Sequence, residues 1–237
     1  AHCAGQTAQQ RRHHRRSGLR SRTIAAFVTG NFALRYLCVH QAPRTVFDLL
    51  LKNIARHIHL EPEESSFFIS LARVRRLKKR EFLLQAGEVC RYDAFVLEGC
   101  LRNYYIDDKG DEHILQFSIE DWWTSDLYSL LTQSPANQFI DALEDSVVAL
   151  FDRDDLERLY REVPKFERFF RIMLQHAFIA HQQRILQNIG STGEERYLAF
   201  RNKYPQLEQR LPQHQIAAFL GITPEFLSKI RGKLAKG

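Results

Sequence analysis

Cysteine is scarce in this sequence and is never clustered. The four cysteines, Cys3, Cys38, Cys90 and Cys100, form no Cys-x-x-Cys pair. This spacing supports neither a disulfide framework nor a zinc or iron–sulfur site. We therefore expect reduced thiols, a cytoplasmic location, no bound metal and no certain cofactor.

Groups that could carry catalysis are also few where the pattern predicts strands. Between residues 73 and 151 the one histidine is His113, with Glu112 beside it. Neighbouring residues on a strand point to opposite faces, so this pair does not converge on one metal or substrate. The strand region has no His-x-His pair, Gly-rich phosphate loop or Ser-His-Asp set, and we expect no enzyme activity.

Acidic residues are missing from the first 45 positions, which contain eight Arg and no Lys, Asp or Glu. Residues 46–190 contain 18 basic and 24 acidic residues, a net charge of −6. Residues 191–237 contain eight basic and four acidic residues, a net charge of +4. An acidic middle joined to a basic end is typical of a sensor joined to a nucleic-acid reader.

The N-terminal segment also differs in its pattern. Residues 10–16 are a basic run, and residues 24–39 are apolar but interrupted by Asn31 and Arg35. We expect residues 1–45 to be a basic arm that is disordered or foreign to the native protein, with a native start at Val46 as one hypothesis. A signal peptide is an alternative that Arg35 and the lack of a small-residue cleavage site disfavour. Such an arm would add nonspecific affinity for DNA.

The spacing of apolar residues changes from helical to strand-like along the chain. Residues 46–71 have helical spacing, with Pro62 near the start of a second short helix. From Arg73 to Phe151 the apolar period is two, in short runs separated by turns such as residues 107–112. Six to eight such runs predict a closed antiparallel barrel or jelly roll.

A long helix is predicted from Pro164 to about Ile189, after a short helix at residues 152–160. Its first half is apolar on nearly all sides and therefore needs cover on more than one side. One barrel does not supply that cover, so we expect a two-fold dimer along this helix, with a core helix in a monomer as the alternative. Residues 190–193 predict a hinge before a further helix.

Two short amphipathic helices are predicted within residues 211–234. Gly221 suits the left-handed residue that ends a helix. Thr223 is a candidate N-cap, and Pro224 fits the first helical position. A polar second helix after such a tight turn is the geometry of a helix-turn-helix, whose second helix enters the major groove of DNA.

The outward side chains of that second helix are the candidate DNA contacts. Ser228 and Lys229 can reach base edges, and Glu225 can accept from a cytosine amino group. Positive side chains further along suit phosphates. The candidate DNA-binding residues are Thr223, Glu225, Ser228, Lys229, Arg231 and Lys233. The alternatives are an ordinary helical hairpin in a core, or a dimeric ligand-binding or scaffold protein that no longer binds DNA specifically.

Three motifs stand out along this order of elements. They are Glu98-Gly-Cys-Leu-Arg102, Ser191-Thr-Gly-Glu-Glu-Arg196 and the run from Gln215 to Ile230. Together with the order of elements they resemble the Crp/Fnr family of bacterial transcription regulators. The resemblance covers residues 46–237.

The resemblance implies an α+β fold with an antiparallel β jelly roll or barrel, a long dimerisation helix and a C-terminal helix-turn-helix. The parts expected after the arm are a cyclic-nucleotide-binding-like sensor domain at 46–162, the dimerisation helix at 163–190 and the DNA-binding domain at 191–237. Pro224 stands where the family often has an Arg. The sequence ends at Gly237 without a segment for the family's β-hairpin wing, so we expect a helix-turn-helix lacking a full wing.

The effector site departs from the family pattern. Cyclic-nucleotide binders of the family hold the phosphate with a Gly-Glu loop and an Arg-Ser/Thr pair, but no Arg stands between Arg102 and Arg153. Residues 120–128 instead add three carboxylates that would repel a phosphate. We expect an effector other than cyclic AMP that is uncharged, cationic or aromatic, with a purely structural aromatic core as the alternative. The candidate pocket residues are Trp122, Trp123, Asp126, Tyr128, Ala136 and Asn137.

The expected mechanism is allosteric. A ligand or partner in the barrel would shift the long helix, and the hinge would reorient the two reader helices. The expected partners are double-stranded DNA, a second copy of the chain and a small-molecule effector of unknown identity. RNA polymerase is an open further partner, and no membrane is expected.

Overall fold

The computed structural model describes residues 36–37 and 44–235, with side chains from residue 46 onward. The basic arm predicted at the N-terminus lies outside the described residues, apart from residues 36–37 and 44–45. Residues 36–37 form a short strand that pairs antiparallel with residues 74–75. This pairing was not expected from the sequence, which placed both residues in the arm.

Two short helices precede the sheets. A 3-10 turn at Arg44–Phe47 leads into α1 (Asp48–Ala55), and α2 spans Pro62–Leu71. α2 begins at the predicted proline because the first helical turn needs no N–H donor there. The side chains of Glu61 and Glu64 also form a capping box that satisfies backbone N–H groups at this end.

The period-two segments form two antiparallel sheets. The strands are β1 (Tyr36–Leu37), β2 (Ala72–Leu77), β3 (Phe82–Leu84), β4 (Tyr92–Glu98), β5 (Cys100–Ile106), β6 (Glu112–Ile119), β7 (Trp123–Thr124), β8 (Phe139–Ala142) and β9 (Ser146–Asp152). Sheet A has the order β1-β2-β9-β4-β7, and sheet B has the order β3-β8-β5-β6. β4 of sheet A continues directly into β5 of sheet B through one glycine.

That glycine, Gly99, explains the Glu-Gly-Cys motif. Its φ is 98°, a conformation that side chains other than glycine rarely adopt. A Cβ at this position would also collide with Ser146 at the start of β9. The turn therefore requires glycine on two independent grounds.

An apolar layer lies between the two sheets. It forms because successive side chains on a strand point to opposite faces, so alternate residues of both sheets point inward. Its buried residues are Leu77, Leu84, Cys90, Ala94, Val96, Leu101, Leu130, Ala136, Ile140, Ala142, Val148 and Leu150. The layer leaves the other face of each sheet to be covered by helices.

The outer face of sheet A is covered through apolar contacts. α1, α2, α4 (Arg153–Glu162) and the first turns of α5 (Lys165–Gly190) pack there. Phe68 of α2 is fully buried, and its ring lies 4.7 Å from the rings of both Phe151 and Phe166. These aromatic contacts hold the start of α5 against the sheet.

The outer face of sheet B is covered by the C-terminal helices. They are α6 (Gly193–Lys203), α7 (Pro205–Arg210), α8 (Gln213–Leu220) and α9 (Pro224–Leu234). Their buried apolar residues form one cluster with β5 and β6, and α8 lies directly against β6. The strand residues in this cluster are Cys100, Tyr104, Ile114, Phe117 and Ile119.

Two helices occur where the sequence pattern predicted none. α3 (Leu127–Thr132) lies between β7 and β8 and is capped by Asp126, whose carboxylate accepts from the Ser129 N–H at 3.0 Å. α7 begins at Pro205, within a stretch where the sequence analysis named no separate helix. The proline ends α6 and also takes the first position of the next helix.

α5 has 26 residues and is the longest helix of the described chain. It ends at the predicted hinge, where Ser191 and Thr192 separate it from α6. Thr192 and Glu195 form a capping box at the start of α6. Among the helices described, α5 included, there is no helix with the length and apolar character that crossing a membrane requires.

Candidate functional site

The pair α8 and α9 forms by the local signals found in the sequence. Gly221 ends α8 with a φ of 63°. The Thr223 hydroxyl accepts from the Phe226 N–H at 3.2 Å, and Pro224 opens α9. Ala217 of α8 is fully buried, and its small side chain permits a close crossing of the two helices.

The outward face of α9 is polar. Leu227 and Ile230 are buried beneath it. Four of the predicted DNA contacts are exposed on this helix, namely Glu225, Ser228, Lys229 and Lys233, and Arg231 is half-buried. Thr223 uses its hydroxyl in the cap, so its contribution to this surface is the position of the first turn.

One of these cations has a partner within the chain. Lys233 pairs with Glu194 of α6 at 3.0 Å, although the Lys233 side chain is largely exposed. Gly193, next to Glu194, packs so closely on Phe226 that a Cβ there would lie 2.7 Å from its ring. α6 therefore packs against α9 through Gly193 and Glu194, and Glu225, Ser228 and Lys229 of α9 remain exposed.

A stripe of large apolar side chains is exposed on α5. Phe178 is 69% exposed and Ile189 is 81% exposed. With 3.6 residues per turn, side chains spaced by four and seven residues share one face of a helix. The exposed stripe consists of Leu174, Phe178, Ile179, Ile185, Leu186 and Ile189. The sequence predicted such uncovered apolar surface for the first half of the helix; there Phe166 and Phe169 are buried against sheet A, and the stripe continues beyond that half to Ile189.

The C-terminal helices are joined to sheet B by charged as well as apolar contacts. Arg210 of α7 donates to both carboxylate oxygens of Glu120, each at 2.8 Å, and also pairs with Glu144. The hydrogen bonds from Arg210 lower the pKa of Glu120 to about 2. We call the contacts of α6–α9 with sheet B the C-terminal joint.

A second arginine strengthens the C-terminal joint. Arg102 of β5 is buried and donates to Asp141 at 2.8 Å and to Gln215 of α8 at 3.0 Å. It also pairs with Glu112. Because Gln215 is on α8, this buried network ties the first helix of the α8/α9 pair to the middle of sheet B.

Arg184 of α5 adds a third set of contacts at the C-terminal joint. Its guanidinium donates to the carbonyl oxygens of Ile114 at 2.7 Å and Phe219 at 3.0 Å, and to that of Leu115. It also lies 4.1 Å above the centre of the Phe219 ring. One side chain thus links α5, β6 and α8.

A cavity of about 920 Å³ lies between these elements. Its walls come from α1, β6, β7, α5, α6 and α8. Its aromatic lining residues are Phe117, Trp122, Trp123, Phe170, Phe178, Phe200, Tyr204 and Phe219. The volume lies in the range of pockets that hold small molecules. Among the described residues, no three His, Cys, Asp or Glu side chains are grouped to bind a metal ion.

The six residues predicted for an effector pocket do not share this cavity. Trp122 and Trp123 line it. Asp126 is buried and caps α3, and Ala136 is buried in the layer between the sheets. Tyr128 and Asn137 are exposed and are not among the residues that line the cavity.

The acidic loop has internal partners. Glu120 is held by Arg210 and also accepts from the Gly99 N–H at 2.8 Å. Asp121 accepts from Asn53 at 3.0 Å and pairs with Arg56 at 2.6 Å. The repulsion of anions that the sequence suggested for this loop is therefore reduced by pairing. Local sequence showed the charges but not these side-chain partners, which lie 65 or more residues away.

Comparison with known proteins agrees with this geometry. A family model for the cyclic nucleotide-binding domain matches residues 74–163, from β2 to just beyond α4. The fumarate and nitrate reduction regulatory protein of Vibrio cholerae is 26% identical over 179 residues, covering 70% of this chain and 70% of that protein. The anaerobic regulatory protein of Haemophilus influenzae is 25% identical over 179 residues, covering 70% and 68%. These matches support the resemblance of the chain to the Crp/Fnr family of regulators.

Solved structures show the same fold. FixK2 from Bradyrhizobium japonicum has a TM-score of 0.60 at 20% identity, with 70% of this chain and 85% of that chain covered. The predicted mixed fold with antiparallel sheets is confirmed at this level. Since the named Crp/Fnr relatives are regulators, the prediction that the chain is not an enzyme is confirmed as well.

Sequence analysis assigned no role to several charged side chains of the cavity and the C-terminal joint. Arg184, Arg196 and Lys203 line the cavity, and Arg210 holds the C-terminal joint. One signal was available for α6. Residues 196, 199, 200 and 203 are spaced three or four apart, which places them on the same side of the helix.

Proposed function

We propose that this Crp/Fnr-like protein is a sequence-specific DNA-binding transcription regulator in which an effector controls the geometry of a homodimer. The observation that carries the proposal is the polar outer face of α9, which stays exposed while its apolar face is buried. The proposed parts are a jelly-roll sensor domain at 46–162, a dimerisation helix at 163–190 and a helix-turn-helix domain at 191–237. A cytoplasmic location accompanies this function.

The face of α9 supplies two kinds of DNA contact. Ser228 and Lys229 are one turn beyond the N-terminal end, where a recognition helix meets base edges in the major groove. Glu225 is in the first turn, where it can accept from a cytosine amino group. Arg231 and Lys233 are in the last turn, and their charges suit phosphates.

The exposed stripe on α5 supports the homodimer. Contiguous apolar surface of this kind is uncommon on monomers and marks interaction sites. A second copy of α5 packed against the stripe would bury Phe178, Ile185 and Ile189. A two-fold arrangement would also present two α9 helices to the two halves of a palindromic DNA site.

The cavity is the proposed route of control. It touches the sensor sheets, α5 and the first helix of the DNA-binding part, so a bound ligand would contact all three. Leu174 and Phe178 belong both to the cavity lining and to the exposed stripe. Occupation of the cavity and packing of the dimer are therefore coupled through the same side chains.

Cyclic AMP is not the proposed effector. Residues 103–152 contain no Arg, and the layer between the sheets is filled by apolar side chains. A buried phosphate without a cation would be strongly destabilised. Isothermal titration of the chain with cyclic AMP should give no saturable heat at micromolar concentrations, and a micromolar dissociation constant would refute this part of the proposal.

The DNA proposal is tested by fluorescence anisotropy with the DNA upstream of the protein's own gene. The wild-type chain should prefer one site over a scrambled duplex. Lys229→Ala should lower that preference by roughly tenfold, because a bidentate base contact contributes about 1–3 kcal/mol of discrimination. Arg231→Ala should weaken binding to both duplexes alike and reduce the salt slope by roughly one unit.

Lys109→Ala is the matched control, since Lys109 is an exposed cation in the turn between β5 and β6. It should leave both affinities unchanged. If the wild-type chain shows no preference between duplexes at any salt concentration or effector condition, the reading of a dimeric scaffold without specific DNA binding replaces this proposal.

The dimer is tested by light scattering. The wild-type chain should be a dimer at micromolar concentration, and Phe178→Glu should shift it towards monomer because a carboxylate would be buried in the interface. Tyr128→Glu places the same charge at a similarly exposed aromatic residue outside α5 and should leave the mass unchanged. A wild-type monomer would contradict the proposed dimer.

A further inference from the structure

The two ends of the cavity differ in charge. α5 runs along the cavity from Phe170 to Asn188, a rise of about 27 Å at 1.5 Å per residue. Near Phe170 the walls include the carboxylates of Asp93 and Asp121. Towards the other end they include Arg184 of α5 and two residues of α6, Arg196 and Lys203. We call these three residues the cationic end.

No carboxylate pairs with the cationic end within the described part of the chain. Arg184 donates to backbone carbonyl oxygens, and burial lowers its pKa. Arg196 donates through one terminal nitrogen to the carbonyl oxygen of Ser191 at 3.0 Å. Lys203 lies 5.2 Å from the centre of the Tyr204 ring. Arg184 and Arg196 are partly removed from water without an acid, which is unfavourable, and an anion would offset that cost.

One donor at this end has no partner at all. The Nε of Arg196 is buried, and no acceptor among the described residues receives its hydrogen bond. Buried donors are almost always satisfied, because an unpaired one costs about 1–3 kcal/mol. A rotation of the Arg196 side chain towards the cavity would allow a ligand oxygen to accept this hydrogen bond.

Aromatic rings stand beside these cations. Trp122 and Tyr204 meet edge to face with ring centres 5.7 Å apart, and Phe219 lies beneath Arg184. All three rings line the cavity. They would contact a flat apolar group through dispersion and burial.

The acidic groups elsewhere in the cavity do not oppose an anion strongly. Asp121 is already paired with Arg56 at 2.6 Å. Burial raises the pKa of Asp93 to about 7, so this carboxyl is largely protonated in mildly acidic solution. The sequence pattern suggested an uncharged or cationic ligand because it showed these acids without their environment.

We propose that the cavity binds an anion with an aromatic body, such as an aromatic carboxylate, whose acid group is received by Arg196, with the charge of Lys203 adding to the attraction, and whose ring lies against Trp122, Tyr204 or Phe219. The electrostatic field of Arg184 adds to this attraction without a direct contact. The inference rests on the proposed function only in treating the ligand as the effector. A ligand bound in this way would contact both the loop before β7, through Trp122, and helix α6, through Arg196.

The probe is 2-naphthoate, compared with 2-naphthamide, which has nearly the same shape and no charge. Isothermal titration of the wild-type chain should show naphthoate binding at least about tenfold more tightly, since a charge-assisted hydrogen bond contributes about 1.5–3 kcal/mol. Arg196→Gln should remove most of the preference and leave naphthoate within roughly fivefold of naphthamide, because Lys203 remains. Lys203→Gln should weaken naphthoate binding by roughly two- to fivefold, because the exposed Lys203 is screened by water.

The variants need controls because Arg196 also bonds to the end of α5. Arg196→Lys keeps the charge and should retain part of the preference for naphthoate, with circular dichroism verifying the fold of each variant. Arg201→Gln removes a cation of the same helix that does not line the cavity, and it should change neither affinity. Equal binding of the two probes by the wild-type chain, or full naphthoate affinity in Arg196→Gln, would overturn the proposal.

This test is independent of DNA binding. Calorimetry with the two probes requires no duplex, so failure of the anion site leaves the anisotropy result untouched. Specific DNA binding that disappears in Lys229→Ala would stand even if naphthoate did not bind. Conversely, selective binding of naphthoate by a chain that shows no preference between DNA duplexes would support the alternative of a ligand-binding scaffold.

Discussion

The two sheets are covered in physically different ways. Sheet A meets its helices through aromatic and aliphatic side chains, with Phe68, Phe151 and Phe166 at the centre. Sheet B meets its helices through an apolar cluster surrounded by Arg102, Arg184 and Arg210. Apolar contacts have no good alternative in water, whereas charged groups are well solvated once separated. We therefore expect the cover of sheet B to open more readily than the cover of sheet A.

This difference suits the proposed mechanism. A regulator that changes the placement of α9 needs one joint that stays closed and one that yields. The C-terminal joint includes the cavity, so a ligand there acts on the separable side. The predictions that follow test whether the two covers differ in the expected way.

The largest effect is expected on sheet A. Phe166→Ala removes a fully buried ring from the apolar cover and should lower the free energy of unfolding by about 3–5 kcal/mol. Urea denaturation followed by circular dichroism measures this change. Tyr128→Ala, at a 65% exposed ring, should stay within about 0.5 kcal/mol of wild type. If both variants lose similar stability, the cover of sheet A is not the firmer one.

A smaller effect is expected from the ionisable group on the same face. Burial raises the pKa of Asp93 to about 7, so the folded chain holds a proton that the unfolded chain releases. The stabilising contribution of this proton is complete below about pH 4 and is lost as the pH rises through about 7.

Asp93→Asn removes this dependence. The variant should match wild type near pH 4 and exceed it by about 1–3 kcal/mol at pH 8, because the wild-type carboxylate is then charged in a buried place. Denaturation at both pH values provides the measurement. Parallel stability profiles for the two proteins between pH 4 and 8 would show that Asp93 is solvated.

The smallest effect on global stability is expected at the C-terminal joint. Arg210→Ala leaves Glu120 and Glu144 without their partner, and we expect a global loss of about 1 kcal/mol or less because all three groups are partly exposed. Amide hydrogen exchange in β6 and α8 should nevertheless increase roughly fivefold, as the joint opens locally. Mass spectrometry of exchanged peptides locates the change.

Lys78→Ala is the control for this variant. It breaks an ion pair with Asp145 that is just as short, at 2.7 Å, but highly exposed. Lys78 follows β2 of sheet A, whereas α8 lies against β6 of sheet B. Exchange in β6 and α8 should remain at the wild-type rate. A fivefold increase in both variants would mean that loss of any surface charge loosens the molecule.

The same pairing predicts the response of the joint to acid. Because Arg210 holds the pKa of Glu120 near 2, below its ordinary value of 4.5, the contribution of this pair is present above about pH 4.5. It is lost as the pH falls through about 2. The joint therefore stays closed by this ion pair throughout the neutral range.

Local signals explain which features the sequence could predict. The starts of α2 and α9 follow from Pro62, Thr223 and Pro224, and the end of α8 follows from Gly221, because each signal acts within about four residues. The alternation of apolar residues likewise predicted the strands. α3 escaped prediction because six residues give too little periodicity, and Ser129 is fixed by a contact with the distant Cys90 N–H at 2.9 Å.

Distant pairing explains what the sequence could not predict. Arg210 and Glu120 are 90 residues apart, and Arg102 and Gln215 are 113 apart. Arg184 is satisfied by backbone carbonyl oxygens, which every residue possesses, so no residue type reveals its partners. The six residues predicted for the pocket also do not line one cavity. Tyr128 and Asn137 are exposed to water in and after α3, a helix that the sequence pattern did not predict.

The two tryptophans of the chain are adjacent in sequence but meet different neighbours. Trp123 lies with its ring centre 5.3 Å from those of Phe95 and Phe170, on the sheet A side. Trp122 approaches Tyr204, the residue that follows α6. Replacing either one by phenylalanine leaves a single fluorophore whose emission reports on one side alone. The protein thus contains its own pair of optical reporters, and movement of α6 can be followed in solution without attaching a dye.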